Sequence, residues 1–327
     1  MLKRFKSILK VPAIGVISIL VFIYLFMGIY KPFPFLTLIN QFNILKEIVP
    51  LATISIGMTI VIIARGIDLS VGAISGLSAG ICAFLLLKNL SFSLAVIITL
   101  LFGILIGFIN GFLITKFNIS DFILTLGVQN ILRGIFYVAT LGTTIVPTLS
   151  NTSRQIVLGT FLKIPIPIVI IIIFIIFFTL LLKRTQLGTD IYATGSNPAA
   201  AKIVGVNIIR VKIFSYMICG FLCSIAGVLL LLRLGAAPAN LAQSYELDAI
   251  AAVLLAGTSL SGGKGNIYGS IFGAIVISLV RNALNLLGVN PLTYTLVIGL
   301  IILFAVAFEQ LTNIVSRNKI NVKSKTG

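Results

Sequence analysis

Histidine is absent from this sequence, and Asp and Glu together number seven in 327 residues. The first absence removes the side chain most often used as a general base or metal ligand at neutral pH. The second leaves no paired carboxylates inside a helical run; Glu246 and Asp248 stand close together but are expected at the outer surface. No nucleophile has a base near it in sequence and no cluster has metal-ligand spacing, so neither a catalytic residue nor a metal site is expected. A phosphate-binding loop is missing as well. Gly262-Gly263-Lys264-Gly265 has the wrong glycine spacing, and no Ser or Thr follows the lysine. Cysteine is scarce: Cys82, Cys219 and Cys223 all fall in apolar stretches, which suits small buried residues better than a redox pair.

Charged residues make up 9% of the chain, against 59% hydrophobic, and the mean hydropathy is +1.19. A soluble domain carries roughly a quarter charged residues. Repeated apolar runs of about 20 residues predict an all-α membrane protein, a bundle of about ten spans forming one domain over 1–327. The runs lie near Val11–Tyr30, Ile44–Ala64, Val71–Leu87, Ser93–Thr115, Phe122–Leu141, Ile164–Leu182, Val211–Leu232, Leu247–Leu260, Ile267–Leu287 and Leu292–Phe308. The first follows Lys3, Arg4, Lys6 and Lys10 like a secretory signal. It is too long for one and no small-x-small cleavage site follows, so it reads as a span that stays. The eighth has an apolar core, Ala249–Ala256, too short to cross lipid, which predicts an interior segment followed by non-helical backbone.

The net charge of +17 comes from Lys and Arg in short loops and tails rather than on one face. Anionic lipid accounts for that better than nucleic acid does. With both termini inside, sixteen basic residues fall on the inner side and six on the outer, so both ends are expected in the cytoplasm. Mid-membrane ionisable groups, which an ion-coupled carrier needs, reduce to Arg133 and Arg281. The chain is therefore expected to lack an energy source of its own.

Residues 183–212 form the long polar interruption and are expected on the cytoplasmic side. Ser196 or Asn197 can cap a helix that Pro198 opens, Ala199, Ala200 and Ala201 propagate and Gly205 closes. Asn207 reads as the cap of the next helix. Two turns are far below the ~12–15 residues that hold a helix in water, so this one needs a surface to lie against. A soluble partner and an ordinary inter-span loop both remain open.

Gly66-Ile-Asp-Leu-Ser-Val-Gly72 and Gly257-Thr-Ser-Leu-Ser-Gly-Gly263 share the pattern G-x-x-L-S-x-G, each at the inner end of a span. This is an internal repeat or a coincidence of composition. Asp68, three residues after Arg65, reads either as part of an inner gate or as a helix cap paired with that arginine. Candidate gate or pathway residues are Asp68, Ser70, Asn110, Asn282, Asn285, Ser259 and Ser261. Asn110, Gln129, Asn130, Arg133, Arg281, Asn282 and Asn285 interrupt apolar runs and are expected to face the bundle interior, as pathway or as interhelical bonding. Small residues in Gly72–Gly80 and Gly269–Ala274 suit close packing.

Gly66–Gly72, the Gly195-Ser-Asn-Pro-Ala-Ala-Ala stretch with Gly205, the Tyr245–Gly265 block and Asn285-Leu-Leu-Gly-Val289 resemble the permease subunits of ribose-type ABC sugar importers. The likeness runs from about Ile44 to Glu309. It implies a type II-importer-like bundle in the bacterial cytoplasmic (inner) membrane, moving a monosaccharide, ribose first. It also implies a second permease copy, a cytoplasmic ABC ATPase that holds ATP and Mg, and an extracytoplasmic sugar-binding protein. By the same likeness, Gly195, Ser196, Asn197, Ala199, Ala200 and Gly205 belong to the ATPase-coupling loop. Departures are Ala199, where relatives commonly have Glu, Arg65 (Gly), Ser120-Asp121 (Pro-Pro) and Arg281 (Asn). Rival readings are a stand-alone secondary sugar carrier and an ABC permease for another small polar solute.

Overall fold

The chain is described from a computed structural model covering residues 11–150, 153, 155, 156, 159–161, 164–290, 293–304 and 307. The basic residues expected at the two ends lie outside these residues. Helices dominate: α1 (Val11–Tyr30), α2 (Leu38–Ile63), α3 (Val71–Leu87), α4 (Phe92–Phe117), α5 (Asp121–Thr140), α6 (Ile166–Arg184), α7 (Gln186–Ser196), α8 (Pro198–Ile203), α9 (Ile208–Leu234), α10 (Tyr245–Leu255), α11 (Ile267–Leu286) and α12 (Thr293–Phe304). Among the described residues the only ladder is β1 (Thr160–Phe161) paired antiparallel with β2 (Ile164–Pro165). Each expected apolar run contains a helix. Among the described residues six of them, α2, α4, α5, α6, α9 and α11, are long and apolar enough to cross a membrane.

Burial ranks these six. In α2, 89% of the apolar window is buried, and in α9 67%, against 17–28% in α4, α5 and α6. Helices α2 and α9 are thus the posts of the bundle, and the other three turn a broad apolar face outward, as lipid-facing helices do. Helix α9 packs on α4, α2 and α3. Its seam with α4 is made by Gly103, Gly107 and Gly111. A methyl on Gly107 would stand 2.2 Å from the Tyr216 carbonyl oxygen, and one on Gly220 2.1 Å from that of Gly103. This stripe of small residues at four-residue spacing lets the two backbones touch. The expected packing at Gly72–Gly80 and Gly269–Ala274 is also present: Gly76 lies against Leu241 and Gly273 against Ala252.

Several boundaries differ from the sequence reading: α2 begins at Leu38 rather than Ile44, and α9 at Ile208 rather than Val211. Helix α6 begins at Ile166 rather than Ile164, because Pro165 takes an extended conformation and ends β2 before the helix can start. The eighth segment is helical over Tyr245–Leu255 only. Its Ala249, Ala251, Ala252 and Val253 are fully buried, as an interior segment requires, and an irregular stretch from Ala256 to Asn266 follows it.

Candidate functional site

One end of the bundle carries a ledge built by residues 183–212. Thr185 caps α7 by accepting from the Gly188 amide at 3.2 Å, and Asn197 caps α8 by accepting from Ala200 at 3.1 Å. Pro198 occupies the first turn, where its missing N–H costs nothing. Gly205 closes α8 at φ +87°, and Asn207 accepts from the Arg210 amide at 3.0 Å to open α9. Ala201 is buried, whereas Ser196, Asn197, Ala199, Ala200, Lys202 and Gly205 lie toward the surface. Ile203 and Val204 are exposed at 85% and 77%, beside the exposed Lys202. A cavity of about 850 Å³ opens beside it, walled by Ile114, Asn118, Ile119, Lys202, Val206 and Ile209 among others.

Helix α7 is hard to read from sequence because Gly188, Thr189 and Gly195 are poor helix formers. Its inward face compensates by burying Gly188, Ile191, Thr194 and Gly195 against the bundle. Gly195 consequently faces inward, unlike the other residues of the expected coupling set.

The candidate gate residues divide into separate places. Asp68, Ser70 and Asn110 form one cluster. Ser70 donates to Asp68 Oδ1 from its amide (2.9 Å) and its hydroxyl (2.5 Å), and Asn110 Nδ2 donates to Ser70 Oγ at 2.9 Å. Asp68 is fully buried. Burial pushes its pKa up to about 6 against the lowering effect of the Ser70 bonds. The expected alternative of an Arg65 ion pair does not form among the described residues, where Arg65 is exposed. Arg65 instead takes φ 61°, a conformation in which glycine is at ease. The rest of this loop is pinned from both sides: Thr125 Oγ1 accepts from Leu69 N at 3.1 Å, and Tyr216 Oη donates to the Ile67 carbonyl at 3.1 Å. Asp121 Oδ2 lies 3.1 Å from the same Tyr216 hydroxyl, whose one hydrogen is shared between it and the Ile67 carbonyl, and accepts from Lys212 Nζ at 3.1 Å.

Ser259 and Ser261 lie in the stretch between α10 and α11, where the Ser261 amide donates to Ser259 Oγ at 3.3 Å. Asn282, near the other end of α11, exchanges amide bonds with Asn40 at 2.9 and 3.2 Å, a tie between α2 and α11. Asn285 is exposed. Asn130 is exposed too and bonds the Leu126 carbonyl of its own helix, so it does not face the interior as expected. Its side-chain N–H finds an acceptor one turn back on its own helix.

Glu246 and Asp248 do not sit at the outer surface. Their exposures are 7% and 0%, and each is paired with one of the two arginines. Arg133 lies 3.4 Å from Glu246, which also accepts from Gln129 at 2.8 Å. Arg281 binds Asp248, lies 3.8 Å from Glu47, and is sandwiched between the rings of Tyr245 and Tyr294 at 4.9 and 4.6 Å. Tyr294 Oη donates to Asp248 at 2.7 Å and Arg233 lies 3.5 Å from Glu47. Four opposite charges therefore cancel where α2, α9, α10 and α11 meet. The short apolar core of α10 explains the difference from expectation: the helix starts inside the bundle, so its first-turn acids are interior.

The model of the family described as "Branched-chain amino acid transport system / permease component" matches residues 40–306. The chain belongs to this permease family. It is 40% identical to the ribose import permease protein RbsC of Bacillus subtilis (strain 168) over 277 residues, 84% of this chain and 86% of that one. The ribose import permease protein RbsC of Escherichia coli (strain K12) is 38% identical over 280 residues, 84% and 87% of the two chains. The galactose/methyl galactoside import permease protein MglC of the same strain is 33% identical over 325 residues, 94% and 96%. No solved structure matches. For the permease, this membership turns the six long apolar helices into a membrane domain.

Proposed function

We propose that the permease is the membrane-spanning subunit of an ATP-binding-cassette importer that brings a monosaccharide, ribose first, into the cell. It sits in the bacterial cytoplasmic (inner) membrane, with α1–α6 and α9–α12 as ten crossings in a type II-importer-like bundle. Both termini and the α7–α8 ledge are cytoplasmic. Two copies pair, receive sugar from an extracytoplasmic binding protein, and dock on a cytoplasmic ABC ATPase that holds ATP and Mg. Lipid is the remaining partner; nucleic acid is not one.

The observation that carries this reading is near full-length similarity to import permeases for ribose and galactosides, combined with the exposed ledge of α8. Alternating access follows: closure of the ATPase shifts the ledge and switches the gate loops.

Reconstitution tests the assignment. Proteoliposomes holding the permease, its ATPase and its binding protein should accumulate ribose only when ATP is present. Accumulation against a gradient by the permease alone would replace this reading with a stand-alone carrier.

A further inference from the structure

We propose that the ledge is geared to both G-x-x-L-S-x-G loops through one backbone joint, with Gly195, Gly263 and Tyr192 as its positioning residues. The inference rests on reading α8 as the ATPase contact. Three chain segments meet here, with the Ser196 hydroxyl lying against Gly263: the end of α2 at Ile63, the end of α7 at Gly195 and Ser196, and Gly262–Gly263. The Gly263 amide donates to the Ile63 carbonyl at 2.9 Å. That carbonyl is among the last of α2, which have no partner within their own helix.

The contact is as close as backbones allow. A methyl on Gly195 would stand 1.8 Å from Ile63 O and 2.4 Å from Gly263 N. One on Gly263 would stand 2.3 Å from Ser196 Oγ and 2.6 Å from its Cα. Gly262 and Gly263 hold φ of +81° and +70°, a further reason for glycine at both. One helical turn back on α7, Tyr192 Oη donates to the Gly265 carbonyl at 2.8 Å, a second tie between the same two segments.

This arrangement gives the repeated motif a mechanical meaning. The first copy begins at Gly66, three residues beyond Ile63, and leads into the Asp68–Ser70–Asn110 cluster. The second copy ends at Gly263 itself. Asn197 links α7 directly to α8, so a push on α8 reaches Gly195 through one short rigid helix. From there it acts on the near ends of α2 and of the α10–α11 stretch together. Chains of packed groups can carry coupling of this kind, and here the link is one backbone against another.

The test uses the whole importer in proteoliposomes and reads sugar moved per ATP hydrolysed. Gly263→Ala should still co-purify with the ATPase while that ratio falls by about tenfold. Tyr192→Phe removes one hydrogen bond without adding bulk, and should lower the ratio by about fivefold. An unchanged ratio in folded Tyr192→Phe overturns the joint, and this holds even where Gly263→Ala fails to fold. Ala200→Asp tests the underlying docking separately. Retained ATPase co-purification by that variant would sink the docking reading, whatever the other two show.

Discussion

Asp68 differs from most acids of this chain. Glu47, Asp121, Glu246 and Asp248 each stand within 4 Å of a cation, whereas Asp68 is buried against hydroxyl and amide groups alone. Its pKa is raised by burial from 3.8 to about 6, with the Asp121 carboxylate pushing the same way. The folded state therefore binds the proton more tightly than the unfolded chain does. That contribution is complete below about pH 4 and is lost as pH rises through about 6, with a full size of about 3 kcal/mol. Asp68→Asn keeps an acceptor for Ser70 and imitates the protonated form. In detergent, the unfolding midpoint of the parent should fall relative to that of the variant from about pH 4 to about pH 7. Parallel curves would show that Asp68 stays ionised in the fold. A second residue-scale expectation concerns Arg281. Replacing it by Gln leaves Asp248 buried without its cation, which costs about 3–5 kcal/mol, and adding Asp248→Asn should restore part of the lost midpoint. The two arginines are legible in the sequence as interior cations. Their partners are not, because Glu47 and Asp248 reach Arg281 only through tertiary packing of three separate helices.

Among the elements, the six long apolar helices among the described residues are readable because hydrophobic run length reports directly on the medium around a helix. Helix α7 is not, since its sequence carries Gly188, Thr189 and Gly195 and its stability comes from what it packs on. The cap residues of α8 are readable for the opposite reason: Asn197, Pro198 and Gly205 act through their own backbone neighbours. The α4–α9 seam lies between these cases. Its Gly103-x-x-x-Gly107-x-x-x-Gly111 spacing is plain in the sequence, but nothing local names α9 as the partner. Gly107→Val would force apart backbones that already touch, at about 1–3 kcal/mol or more, and should sharply lower the monodisperse fraction on fluorescence-detected size exclusion. A methyl added to Gly134 on α5 would meet nothing within 4 Å, so Gly134→Val should leave that fraction unchanged. Equal loss in both variants would mean the seam is no tighter than the lipid-facing surface.

At the scale of the whole molecule, orientation and connectivity have to agree. If α1–α6 make the six crossings proposed before the ledge, Ala200 shares a side with the N-terminus, while Asn89, between α3 and α4, follows three crossings and lies opposite. The basic residues favour the cytoplasm for the ledge side by sixteen to six. The native thiols Cys82, Cys219 and Cys223 are all buried, which keeps the background low for labelling with a membrane-impermeant maleimide. A cysteine placed at exposed Asn89 should react in intact cells, and one at Ala200 only after the membrane is opened. The two positions control for each other, because a leaky preparation labels both at once. Reaction at Ala200 in sealed cells, with Asn89 protected, would invert the bundle. The ledge would then face away from any cytoplasmic ATPase, and the coupling route from α8 to the gate loops would have nothing to drive it.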